Sequence, residues 1–141
     1  MIRYVIVPAV IFAAFALGPP PAAAGGDDVL IELNRLEERA AGCRVHLVLD
    51  NAAEHAFTSY RLDLVIFDAD GIVARRVAVE TAPLRASKTM VKEFELANLP
   101  CAEVGRILLN DVTQCASADG DLKDCVAATR LSSRSAVAFV K

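Results

Sequence analysis

Residues 60–71, YRLDLVIFDADG, restrict what this chain can fold into more than any other stretch. Tyr60, Leu62, Leu64 and Ile66 fall on one side of an extended chain and Arg61 and Asp63 on the other, the two-residue period of a half-buried strand. The Asp68-Ala69-Asp70-Gly71 run then supplies aspartates that bond their own backbone and a glycine free to take positive φ. The chain is therefore expected to reverse at once into a second strand over residues 72–80, forming a hairpin. Arg75-Arg76 interrupts the apolar run of that second strand and places it at a sheet edge, where charge discourages pairing with other chains.

The same periodicity recurs along the sequence. Residues 29–36 (VLIELNRL) read as a strand, although Leu33, Leu36 and the EERA that follows also suit the start of a helix; Ala41-Gly42 breaks either one. Residues 43–50 alternate Cys43, Val45, Leu47 and Leu49 against Arg44, His46, Val48 and Asp50, and residues 51–55 form a polar turn. After a turn at 83–87, a strand over 88–96 places Met90, Lys92, Phe94 and Leu96 on one side. Residues 104–112 carry Ile107-Leu108-Leu109, a run that suits a central strand buried on both faces. Residues 116–130 predict a short helix capped by Asp119 or Asp121, with Leu122, Cys125, Val126 and Thr129 on one face. Residues 135–140 predict a closing strand. The expected fold is all-β: an immunoglobulin-like antiparallel β-sandwich of about seven strands over residues 29–141, with that short helix before the last strand.

Residues 1–24 carry one charge, Arg3, then an apolar run over 4–17, Gly18-Pro19-Pro20-Pro21 and the small residues Ala22-Ala23-Ala24, the pattern of a secretory signal peptide cleaved after Ala24. An apolar run of about 14 residues falls short of the roughly 20 needed to span a bilayer. The absence of a twin arginine points to general secretion, and no cysteine follows the cleavage site to carry a lipid. Residues 25–28 (GGDD) are a flexible lead-in. The expected product is periplasmic or secreted, with no membrane insertion after cleavage. Without residues 1–24 it has 117 residues, enough for one core. Its formal charge, with Arg3 gone, is −4, which argues against binding nucleic acid. The mean hydropathy of +0.40 is raised by the signal peptide.

All four cysteines, Cys43, Cys101, Cys115 and Cys125, follow residue 24, and an even count in an exported chain indicates disulfides. No pair has the close spacing of a structural zinc site, and there is no Cys-x-x-Cys for redox work. Of the three possible pairings, an up-and-down succession of strands selects one. The second and sixth strands begin at the same end, so Cys43 meets Cys101; Cys115 ends the sixth strand at the other end, beside the excursion that carries Cys125.

The stretches CRVHLVLDN (43–51), LDLVIFDADGIVARRVAVE (62–80), GRILLNDVTQC (105–115) and LSSRS (131–135) resemble a family of small secreted bacterial proteins often labelled Tat pathway signal sequence domain proteins. The hairpin is also similar to the middle of periplasmic and extracellular immunoglobulin-like modules, in which an asparagine after the second strand and an aromatic-Asp-x-Asp-Gly turn recur. These resemblances imply a fold and a compartment, and no catalytic residues to carry over.

The remaining polar residues offer few chemistries. Asp68, Asp70 and Gly71 lack the third acidic residue and the distant glutamate of a calcium loop, where this chain has Val77. His46 falls on a wet face and His55 in a polar turn, and with Met90 they are too few soft donors for copper. No metal and no cofactor is expected. Asn110 and Asp111 follow three apolar residues, so one of them is expected to face inward and be hydrogen-bonded, with Asp111 clamping the last loop through Arg130 or Arg134. No nucleophile elbow, phosphate loop or acid–base carboxylate pair is present. The expected function is non-catalytic binding of another envelope protein through sheet edges or loops. The alternative is a small-ligand carrier with a pocket between the sandwich and residues 116–130.

Overall fold

The computed structural model describes residues 29–141; the expected signal peptide over 1–24 and the expected lead-in over 25–28 lie outside the described residues. The strands are β1 (Val29–Arg39), β2 (Gly42–Asn51), β3 (Phe57–Phe67), β4 (Val73–Glu80), β5 (Lys88–Ala97), β6 (Arg106–Ser117), β7 (Gly120–Asp121), β8 (Thr129–Ser133) and β9 (Ala138–Val140), with one helical turn, α1 (Cys125–Ala128), before β8. One sheet runs β5-β2-β1-β8 and the other β4-β3-β6-β7, with β9 also paired to β6. The two sheets face each other as the all-β sandwich expected.

The hairpin forms as its residues dictate. Asp68 Oδ1 accepts the N–H groups of Asp70 and Ile72 at 3.0 and 2.9 Å, and Gly71 takes φ of 79°. Tyr60, Leu62, Leu64 and Ile66 are buried, facing Val45, Leu47 and Leu49 of β2 and Ile31 and Leu33 of β1 in one core. Each such side chain removed from water contributes roughly 1.5–3 kcal/mol before the entropy of ordering the chain is set against it. β4 lies at the edge of its sheet, as its arginines indicated.

At the β1–β2 corner the chain needs a glycine. Gly42 has φ of 141°, and a Cβ there would lie 2.2 Å from the carbonyl oxygen of Leu96. This close approach seats β2 against the end of β5, beside the 3₁₀ turn Cys101–Glu103, and Cys43 is bonded to Cys101. Cys115 is bonded to Cys125 at the other end, so both pairings follow the strand succession. Two disulfides belong to an oxidising environment. No helix among the described residues is long and apolar enough to cross a membrane.

The strand reading of residues 29–36 holds, β1 running on to Arg39 past a register shift between Leu33 and Arg35, and EERA starts no helix. Other expectations are corrected. β6 is central but not buried on both faces: Leu108 is half-buried, while Asn110, Asp111, Thr113 and Gln114 are exposed. The helix over 116–130 shrinks to one turn capped at Asp124, which has φ of 59° and makes no side-chain cap bond, rather than at Asp119 or Asp121. Thr129, expected on the helix, begins β8, which pairs in parallel with β1, and the closing strand shortens to β9, which pairs in parallel with β6. The sandwich is thus antiparallel except where the last segment crosses from one sheet to the other. A five-residue and a three-residue strand show no periodicity of their own; their pairing comes from edges that the rest of the fold offers.

Candidate functional site

Two groups of polar residues form on the second sheet, one on its outer face and one at the end closed by the Cys115–Cys125 disulfide. On the outer face, Asp63 is 6% exposed although it sits on the polar side of β3. Arg76 of β4 covers it from one flank, donating from Nε to Oδ1 at 2.8 Å and from Nη2 to Oδ2 at 2.6 Å. Asn110 of β6 closes the other flank, donating from Nδ2 to Oδ2 at 2.6 Å. The Arg76 bonds hold the Asp63 carboxyl below its ordinary value of 3.8, burial opposes them, and Asn110 adds to the lowering. A carboxylate held ionised with its lone pairs occupied is a clasp across three strands, unsuited to moving protons.

The clasp makes a prediction with a definite sign. Because the folded-state pKa lies below the unfolded one, its contribution is in full above about pH 4 and is lost as pH falls through the depressed value. The native chain should melt several degrees above Asp63→Asn at neutral pH, and the gap should narrow as pH is lowered below about 4; a gap independent of pH would remove the ionic clasp.

Asn110 therefore has a partner that was not foreseen, and the expected cluster of Asn110, Asp111, Arg130 and Arg134 does not assemble. Register explains why neither Asn110 nor Asp111 faces inward. Leu64 pairs with Leu109 but Asp63 with Asp111, leaving Asn110 as an extra residue, and a second shift leaves Thr113 extra. Each β-bulge resets the alternation, so Leu109 and Val112 meet the core while the two polar residues between them face out. Asp111 accepts the N–H of Val112 at 2.8 Å. Arg130 lies on β8 in the other sheet, in register with Leu30, and Arg134 just after β8 donates to Glu32 of β1 at 3.0 Å.

At the disulfide end, an open cleft of about 700 Å³ runs between β6 and residues 121–126, bordered by Ser59, Asp111, Gln114, Asp121 and Asp124. A second cavity of about 200 Å³ lies under the same segment, against His55, Phe57 and Tyr60. Tyr60 anchors the segment: its hydroxyl lies 2.6 Å from Thr129 Oγ1, which donates to the Cys125 carbonyl at 2.7 Å. Lys141 Nζ donates to the carbonyls of Val126 and Thr129 at 3.1 and 2.6 Å, satisfying groups at the end of the helical turn. Phe57 stacks edge-on against Tyr60 and tilted against His55, with centroids 5.0 and 4.8 Å apart. His55 is thus an inner-wall residue rather than the surface turn residue expected. His46 does lie on the outer face of the first sheet, between Glu37 and Glu93 at 2.9 Å each. Among the described residues no group of three His, Cys, Asp or Glu is placed to hold a metal ion.

The Asp63–Arg76 pair was within reach of the sequence. Once the Asp68-Gly71 turn sets the register, the two fall on one face of the hairpin in diagonal positions. His55 gave no comparable sign. Comparison with family models, curated proteins and solved structures finds no match to the chain.

Proposed function

We propose that this is a non-catalytic periplasmic or secreted module that binds another envelope protein by adding a strand of that partner to the free edge of β4. The observation that carries this reading is the state of that edge. β4 pairs only with β3, and at its start Ile72 and Val73 are 65% and 58% exposed. Of the three charges that would guard it, two are turned to other tasks and Arg75 remains. Arg76 is drawn onto Asp63, and the Glu80 carboxylate accepts the N–H groups of Tyr60 and Ala82 at 2.8 and 3.0 Å. On the other sheet the β5 edge keeps Lys88 and Lys92, and neither is paired with a carboxylate among the described residues. Two edge lysines resist an incoming strand more than a hairpin with exposed apolar residues and one unengaged arginine does.

Bond direction tells which backbone groups are open. Thr81 N–H donates to the Tyr60 carbonyl, so in the alternating antiparallel ladder Val77 and Val79 bond to β3 while Arg76, Ala78 and Glu80 point their N–H and C=O outward. Proline at Ala78 removes an outward donor and leaves the β3 ladder in place. The native chain cross-linked in periplasmic extract should yield a partner that slows amide exchange over residues 74–80, and Ala78→Pro should lose about tenfold or more in affinity with little change in melting temperature. Recovery only as a free monomer, or undiminished binding by Ala78→Pro, counts against strand addition.

A further inference from the structure

Between its exposed start and its buried end, β4 carries one charge that the fold leaves unused. Arg75 is half-buried, and its guanidinium has no carboxylate or carbonyl to donate to among the described residues. Arg75, Val77 and Val79 stand opposite Ile66, Leu64 and Leu62 of β3, whose side chains fill the core, so the three line the core side of the sheet at its open rim. Val77 is half-buried against the core and Val79 is buried, while Ile72 and Val73 lie exposed just before Arg75.

The other two charges of the edge are neutralised where they stand. Arg76 is bonded through two nitrogens to Asp63. The Glu80 carboxylate accepts from the Ser59 hydroxyl at 3.0 Å as well as from two backbone N–H groups. An incoming strand therefore meets an apolar strip with a single free cation in it.

The ladder decides which positions a partner touches most closely. Arg76, Ala78 and Glu80 turn their backbone groups outward, so in an antiparallel addition they form the hydrogen-bonded pairs. Arg75, Val77 and Val79 then form the other kind, in which facing Cα atoms are about 4.5 Å apart and side chains come closest. A carboxylate opposite Arg75 gains an ion pair beside valines that exclude part of the water, whereas a basic residue there sets two like charges side by side. From this placement we infer, on the strand-addition reading of the edge, that β4 selects an antiparallel strand of the pattern apolar-x-apolar-x-acidic. Read from the partner's N-terminus, its apolar residues face Val79 and then Val77, and its carboxylate pairs with Arg75. One carboxylate is enough: the chain itself has a formal charge of −3, which repels a strand rich in acidic residues.

The test uses two peptides of about ten residues that share the core Val-Thr-Val-Thr and continue with either glutamate or lysine, with amide NMR shifts as the readout. The native chain should bind the glutamate peptide with a Kd of about 0.1–1 mM, with shifts centred on residues 73–80, and about fivefold more tightly than the lysine peptide. Arg75→Glu should invert that preference, Arg75→Gln should abolish it, and added salt should shrink it. Since Arg75 has no partner in the fold, both variants should melt with the native chain. The β5 edge also carries basic residues, Lys88 and Lys92, and Lys92→Glu should leave the preference unchanged. Ala78→Pro should lose both peptides. Equal binding of the two peptides at β4, or a preference that survives Arg75→Glu, overturns the acidic selection and leaves strand addition standing. Shifts centred on β5, or no binding at residues 73–80 by either peptide, overturn both.

Discussion

Replacing Cys43 and Cys101 together by alanine is expected to lower folding stability by about 4 kcal/mol, and replacing Cys115 and Cys125 together by about 3 kcal/mol. The ranking follows from the chain each bond closes: the sequence separations are 58 and 10 residues, and a longer loop loses more entropy from the unfolded ensemble when cross-linked. For a domain of this size the first change should move the melting temperature down by about 15 °C or more. Denaturant titration of both double variants, with a common slope, checks it. The two losses should also differ in kind. Cys43–Cys101 joins β2 to the turn after β5, so its removal loosens the first sheet. Cys115–Cys125 holds the segment over the small cavity, so its removal should first raise amide exchange over residues 120–128, with β2 and β3 still protected. A larger loss of stability from the second pair than from the first would overturn the loop-length ranking.

What the sequence discloses and what it hides divides along a physical line. Where one face of a strand is buried, the two-residue period is written into the residues, as in Val45-Leu47-Leu49 and Leu62-Leu64-Ile66, all of them buried. Turn chemistry is equally local: Asp68 and Gly71 make the reversal from their own side chain and backbone. The disulfide pairing needed only strand order, and strand order followed from the turns. Asn110 and Asp111 show where this stops. Both bulges in β6 arise from its pairing with β3, so a reading of β6 by itself puts one polar residue inside when neither is. β8 is a strand because β1 offers an edge, and α1 is short because Thr129 is committed to Tyr60 and β8. His55 looked like a surface histidine because its turn is polar; the aromatic stack that draws it inward depends on Phe57 and Tyr60 sharing a wall across a bend.

Asn51 should prove the most sensitive polar position in the described chain: alanine there is expected to cost about 3 kcal/mol. Asn51 is fully buried at the end of β2. Its Nδ2 donates to the carbonyls of His55 and Arg85, each at 3.0 Å, and its Oδ1 accepts the N–H of Ala53 at 3.0 Å. One side chain thus satisfies three backbone groups from two separate segments. Alanine leaves those groups in low dielectric without partners, and each such group costs about 1–3 kcal/mol less whatever water can reach it. Aspartate is the sharper variant. It keeps the acceptor for Ala53 but sets a carboxylate against two carbonyl oxygens, so Asn51→Asp should be at least as unstable as Asn51→Ala at neutral pH. The pKa of that new carboxyl would be raised in the folded state, so the penalty should shrink as pH falls and the group takes up a proton to donate. Melting curves of both variants at neutral pH and near pH 4 test this; an Asn51→Asp variant that melts with the native chain at neutral pH sinks it.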